Sequence, residues 1–502
     1  MGDKRIAMMI FLFFGMFYFI SAKGYMQSSD SVFSLKTADA LLSRGTFAIE
    51  AGEHEKDYVF ETAAGRKYSK YGIGLALLWV PIAAVAKLLS FFTAVRDVSI
   101  MDFLASFYNI GFGAGACVLL FLILGFFKSG NEPALSVVLC LGLATLCWRY
   151  SVWELTEATQ MFFLLLAVYG VLRNTGKSLL TASGALSALV LLKIVYLVFI
   201  PLFVGYCLSR NFREKEKRRK TFAYLLTAPV AAVLLLGLMN QARFGNIFET
   251  GYGREAFGFS CANIPGRIGN LLFSFDKGIF IYSPVLLAGT FGFHSFMKIS
   301  RREAVFFISI ITAAVFLFAS WHSAGGGWAW GPRFLVPFIP LWLLPAYLVF
   351  DKGKFISAIM AVLILVSSFI QIIGVLQSDQ EYHHIRYTLA ASGSQEASLK
   401  MPSDIAGAAL LLKHKLFAGD NLYRSSEFGI AGERVFDTSS AQYYKEFNLW
   451  YYYAARRFHK PFLRFLPFIF LPLVFVCLFR LFSRAKNLDA LQGRDYGTAG
   501  VH

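Results

Sequence analysis

The sequence predicts an all-α polytopic membrane protein, a bundle of about twelve transmembrane helices with interfacial helices in its first outer loop. Three observations predict it. Of 502 residues, 57% are hydrophobic and only 16% charged, whereas a soluble domain carries about a quarter charged residues. The aromatic load of 53 Phe, 23 Tyr and 8 Trp suits a surface made by lipid, with rings at headgroup depth. Apolar runs of roughly 20 residues, the length that crosses a bilayer, recur from end to end.

Those runs fall at 6–22, 72–93, 103–127, 134–150, 152–172, 179–208, 221–239, 279–297, 303–320, 332–349, 354–376 and 465–482. The first follows Met1-Gly2-Asp3-Lys4-Arg5 and has the outline of a signal peptide, but the rest of the chain is itself membrane-embedded, so it is read as a span. Basic residues mark the cytoplasmic side. The 209–220 loop has seven basic residues against two acidic, and Arg301-Arg302, Lys352, Lys354, Arg480, Arg484 and Lys486 belong with it. Alternation then places 23–71, 240–278 and 377–464 outside and both termini in the cytoplasm. The stretch 128–210 resists this scheme: Arg149 and Glu154 interrupt apolar runs, Lys193 sits mid-run, and strict alternation puts Arg173 and Lys177 outside. The organisation expected is a membrane domain over 1–376 that includes the 23–71 loop, a small extracytoplasmic segment over 377–464, and a last span with its tail over 465–502.

A net charge of +17 raises the question of nucleic acid, but cytoplasmic loops and lipid phosphate account for it, and no nucleic-acid partner is expected. The six cysteines lie mostly in apolar runs without metal-ligand spacing, and no metal site is assigned.

A polar residue beside a membrane needs a partner or a task. Asp30, in Ser28-Ser29-Asp30-Ser31, precedes a stretch whose apolar positions 32, 35, 38, 41 and 42 have helical spacing. Helix capping is the simplest role there; a general base for an acceptor hydroxyl or amine is the chemical one. Arg66, Lys70 and Tyr71 run directly into a span, where they can anchor the interface or neutralise a lipid phosphate. Trp321, His322, Trp328 and Trp330 surround Gly325-Gly326-Gly327, and Arg333 follows Pro332 at the start of a helix. Either an aromatic belt or a phosphate clamp fits that pattern. Lys277 and Tyr282 stand in Lys277-Gly278-Ile279-Phe280-Ile281-Tyr282-Ser283-Pro284 at another outer entrance. Glu154 and Glu157 complete the candidate pocket. The places around Asp30, 66–71, 277–284 and 321–333 face outward, away from cytosolic nucleotides, so group transfer there would draw on a lipid-linked donor.

In this order and at these positions, Asp30, Lys70-Tyr71-Gly72-Ile73-Gly74, the 277–284 motif and Gly326-Gly327-Trp328-Ala329-Trp330-Gly331-Pro332-Arg333-Phe334 resemble the GT-C superfamily of membrane glycosyltransferases. The branch resembled uses polyprenyl-phosphate sugars and includes the bacterial dolichyl-phosphate-mannose-protein mannosyltransferase-like and lipid A aminoarabinose transferase-like enzymes. The resemblance implies an inverting transfer of one monosaccharide from a polyprenyl-phosphate carrier to a glycan, lipid or protein acceptor at the extracytoplasmic face, within cell-envelope biosynthesis such as lipopolysaccharide or cell-wall glycan assembly. It implies that Asp30 serves the acceptor nucleophile, while Arg333, Lys70 and Lys277, with Arg66, Tyr71 and Tyr282, serve donor phosphate and lipid. No Asp-x-Asp occurs in the first loop, so a divalent metal is compatible but not required, and no other cofactor is implied. A flippase or transporter of lipid-linked saccharide, a polysaccharide polymerase or ligase, and a purely structural membrane protein are the alternatives.

Overall fold

A computed structural model describes residues 2–350 except 94, together with 353–377, 383, 403–417, 447, 449–457 and 459–498. Most of the 377–464 segment, including Tyr443 and Tyr444, lies outside the described residues. The chain opens with α1 (Gly2–Ser21) and α2 (Ser29–Arg44), then an antiparallel hairpin of β1 (Val59–Glu61) and β2 (Lys67–Ser69) that pairs Phe60 with Tyr68. Next come α3 (Ile73–Phe92), α4 (Asp97–Ala105), α5 (Tyr108–Leu124), α6 (Asn131–Ala144), α7 (Leu146–Ser151), α8 (Glu157–Arg173), α9 (Gly176–Leu192), α10 (Ile200–Arg210) and α11 (Lys215–Phe244). Beyond α11 the long helices are Arg301–Ser320, Lys354–Leu376 and Leu466–Thr498. The fold is an all-α bundle, and one contiguous core runs through it.

Among the described residues, seven helices are long and apolar enough to cross a membrane, against the dozen expected. Three more expected spans appear as four shorter apolar helices, Asn131–Ala144, Gly176–Leu192 with Ile194–Arg210, and Arg333–Leu348. Each has a local cause. The run 134–150 breaks at Thr145, whose extended backbone lets its hydroxyl accept from the Cys147 N–H at 3.2 Å and start α7. The run 179–208 breaks at Lys193, which is extended at the end of α9. Pro337, Pro340 and Pro345 divide 333–348 into short 3₁₀ and α pieces, since proline removes a donor and crowds the preceding turn.

Polar ties at chain breaks show which ends of the bundle belong together. At one end the Glu154 carboxylate accepts the N–H groups of Gln27 and Ser28 at 2.6 and 2.7 Å, and the Tyr108 phenol donates to the Leu155 carbonyl at 3.2 Å. At the other, Asn174 donates to Asn211 at 3.1 Å. The α8–α9 turn with Arg173 and Lys177 therefore sits beside the strongly basic 209–220 loop. That neighbourhood groups the basic residues at 173 and 177 with those of 209–220 at one end of the bundle.

α2 begins at residue 29, earlier than the 32–42 stretch expected, so that Asp30 lies inside its first turn, and the residues it buries are Ser31, Phe33, Ser34, Leu35, Thr37, Ala38 and Ala40, a broader face than the apolar spacing implied. The difference is α3, which lies along α2 and covers its small polar positions. Lys87 of α3 bridges Asp39 of α2 at 2.8 Å and Asp97 of α4 at 3.0 Å.

Candidate active site

Gly72 and Gly74 bring the start of α3 onto the end of α9: a Cβ on either residue would collide with the backbone of Leu191 and Leu192. That close approach puts Tyr71 beside Lys193, and both line a cavity of about 540 Å³ with Asp30, Lys70, Asn240, Arg243, Tyr252, Glu255, Trp321, His322 and Arg333. Residues 30 to 333 of the sequence converge there.

Asp30 sits in the first turn of α2, whose N-cap position is held by Ser28 without a side-chain cap bond. Capping is thus not its task, although the helix N-terminus favours a negative charge at that point. Arg333 pairs with Asp30 at 3.3 Å, with side-chain exposures of 17% and 30%. Tyr71 lines the same cavity as Asp30. Burial, reinforced by the Asp30 charge, pushes the Tyr71 and Tyr252 phenols above their ordinary range, so both are neutral donors at physiological pH. The carboxylate is partly open, flanked by a fixed cation and a neutral hydroxyl.

The cavity has four cations. Arg333 has Asp30, Lys70 meets Glu255 at 3.2 Å, and Lys193 meets Glu157 at 2.9 Å while lying 4.7 Å from the Phe334 ring centroid. Arg243 stands apart. It is 4% exposed, donates to Asn240 Oδ1 at 3.0 Å and to the Tyr71 carbonyl at 3.5 Å, and has no carboxylate partner among the described residues. Its Nε and that of Arg333 lack hydrogen-bond partners there. A buried guanidinium with donors to spare on a cavity wall is an anion-binding arrangement.

The 321–333 loop delivers Arg333. Phe259 and Trp321 form an isolated bridge, and the His322 N–H donates to the Gly258 carbonyl at 2.8 Å. Gly326 has φ +81°, and a Cβ there would run into Cγ of Arg333; the missing side chain is the channel through which the arginine reaches Asp30. Gly326→Ala is expected to cost about 1 kcal/mol or more in stability from the left-handed backbone alone. It should also weaken phosphate-ligand binding more than Gly327→Ala, whose Cβ meets nothing within 4 Å at φ +71°. Melting curves and binding isotherms on the two variants check this.

The other expected residues are elsewhere. Arg66 is exposed in the turn of the β-hairpin, where its N–H donates to Thr62 Oγ1 at 3.2 Å. Lys277 pairs with Asp404 at 2.7 Å, and the buried Tyr282 donates to the Asp276 carbonyl at 2.8 Å and packs edge-on against Trp330. Trp330 belongs to the core, whereas Trp328 is exposed and stacks on His383. Glu154 pins the 27–28 backbone, and Glu157 reaches the cavity through Lys193. Sequence reading missed Arg243, Asn240, Tyr252 and Glu255, and took Lys193 as an interruption. A charge ending an apolar run was the signal for Arg243, but it has the same form as a residue reaching for the headgroups.

Also buried nearby, Lys23 and Arg149 each lie 4.3 Å from the centroid of Trp153. This cluster fastens the segment after α1 to the α7–α8 junction.

No family model and no curated protein sequence matches the chain. Among solved structures, the oligosaccharyltransferase of Archaeoglobus fulgidus is similar at a TM-score of 0.50 and 9% identity in its apo form, over 87% of this chain and 60% of that one. The same enzyme tethered to an acceptor peptide containing the NVT sequon gives 0.50 and 9%, over 86% and 59%. ArnT from Cupriavidus metallidurans bound to undecaprenyl phosphate gives 0.49 and 13%, over 81% and 74%. The chain thus spans about three-fifths of the archaeal enzyme. At such identity the likeness is one of fold alone.

Proposed function

We propose that the protein is a membrane glycosyltransferase that transfers one monosaccharide, with inversion, from a polyprenyl-phosphate carrier to a glycan, lipid or protein acceptor. The observation that carries this reading is the meeting of Asp30 and Arg333 at 3.3 Å in a cavity that also holds Lys70, Lys193 and the carboxylate-free Arg243. Transfer from a phosphate carrier needs a base at the acceptor and positive charge at the leaving group, and both are present within one cavity.

In the proposed step the acceptor hydroxyl or amine gives its proton to Asp30 as its heteroatom bonds to the anomeric carbon. The bond from that carbon to the phosphate oxygen breaks, and the electron pair leaves with polyprenyl phosphate. Arg243, Arg333 and Lys70 stabilise the growing charge, as preorganised donors do in a site shielded from water. The step closes without requiring a divalent ion, although one is compatible with the site.

The cavity end is assigned to the extracytoplasmic face and the 174–211 end, with both termini, to the cytoplasm. The basic residues at 173, 177 and 209–220 support that assignment through the positive-inside tendency, and the expected home is a bacterial cytoplasmic membrane.

The test is reconstitution. Purified protein in lipid vesicles is expected to transfer sugar when given a polyprenyl-phosphate sugar and an envelope-extract acceptor, and to show no transfer from the nucleotide sugar alone. Transfer from the nucleotide sugar without lipid carrier would overturn the reading.

A further inference from the structure

Lys277 lies outside the cavity, yet its surroundings tie it to the loop that delivers Arg333. Its ammonium donates to the Ala329 carbonyl, and its aliphatic stem passes so close to Gly325 that a Cβ there would sit 3.0 Å from Lys277 Cγ. The two contacts bracket Gly326, the residue past which Arg333 threads. On its far side Lys277 pairs with Asp404 at 2.7 Å, and the side chains are 14% and 2% exposed. Asp404 opens a helix, Asp404–Phe417, that buries Ala408 and Leu411. His383 approaches the same Asp404 oxygen at 3.8 Å and stacks on Trp328 of the loop, with ring centroids 5.5 Å apart.

We infer that Asp404 is a positioning residue for the active site, acting through Lys277 and the 325–329 turn to hold Arg333 at Asp30. This rests on the transferase reading above for its catalytic consequence, but not for its structural one. A buried ammonium that lost its carboxylate would seek water or another acceptor. Either move takes the support from beneath Gly325 and Ala329. The chain after 376 would thereby set the aim of a guanidinium that belongs to the 321–333 loop.

The experiment uses the full chain in detergent and in vesicles, with Asp404→Asn, the conservative Asp404→Glu, and the double variant Lys277→Met/Asp404→Leu, which removes both charges while keeping an apolar contact. Hydrogen exchange and donor kinetics are measured on each. Asp404→Asn is expected to raise amide exchange across 323–333 while leaving 245–258 unchanged, and to raise donor KM about tenfold with kcat/KM falling at least as far; Asp404→Glu should restore most of both. If Asp404→Asn does not fold, the double variant carries the same two expectations. Unchanged exchange in 323–333 would overturn the inference, as would a fall in kcat at constant donor KM, or exchange rising equally in all loops. If the unaltered protein transfers no sugar from any polyprenyl-phosphate donor while exchange responds as stated, the transferase reading fails and the Asp404 clasp stands.

Discussion

Replacing Asp30 with Asn is expected to lower turnover by roughly 10²-fold or more, while the protein stays monodisperse and binds polyprenyl phosphate at least as well as before. Among the described residues, the Asp30 carboxylate is the acid on the cavity wall that pairs with Arg333, at 3.3 Å. Its removal takes away a proton acceptor without leaving a hole, because the amide has the same shape. Binding should not suffer, since an Arg333 released from its carboxylate has more charge to offer a phosphate. Single-turnover transfer and donor-binding isotherms on the Asn variant separate the two effects. Turnover near that of the unaltered protein would remove Asp30 from the chemistry.

The arginines come next in expected size. A hydrogen bond to a charged group contributes about 1.5–3 kcal/mol, equivalent to about 10- to 150-fold in affinity, and Arg333→Ala and Arg243→Met should each weaken polyprenyl-phosphate binding within that range. The larger loss is expected at Arg243, because that guanidinium has no carboxylate to give up on binding, whereas Arg333 must share itself with Asp30. Arg333→Lys keeps the charge but loses the planar fork, so a partial loss is expected there. If either arginine merely anchors the protein among anionic lipids, yield will fall and the affinity of the surviving protein will not. Binding measured on preparations matched for monodispersity distinguishes these outcomes.

The sequence made legible those parts of the site that stand at the edges of apolar runs. Asp30, Lys70, Tyr71, Trp321, His322 and Arg333 were all singled out because polarity beside a span demands a reason, and all six line the cavity. Lys277 and Tyr282 satisfied the same criterion but support the neighbouring loop, for periodicity gives no direction to a side chain at a helix entrance. Arg243 and Asn240 fell just past the 221–239 run, in the outer segment, whereas α11 carries them in its last turns. Tyr252 and Glu255 belong to a connection with no pattern, and only the packing of the chain brings them to the site. The hairpin over 59–69 was invisible, since its three-residue strands are shorter than any alternation that could announce them.

The ties of α3 bear on counting. Gln27 and Ser28 share Glu154, and Tyr108 reaches Leu155, so the chain between 28 and 108 starts and finishes at one end of the bundle. α3 is apolar enough to be scored as a crossing, but then the nine residues of α4, about 14 Å of helix, would have to make the return, which is less than half a bilayer core. The Lys87 bridge to Asp39 instead keeps α3 alongside α2. Scoring α3 as a crossing inverts every loop after it, and scoring 179–208 as one crossing, when it divides at Lys193, inverts them back. The two choices offset each other, so the expected orientation of the ends is the same either way and only the middle differs. An even tally of spans, or agreement at both termini, is therefore no check on the segments between; reporter tags placed at 94 and 175 would be.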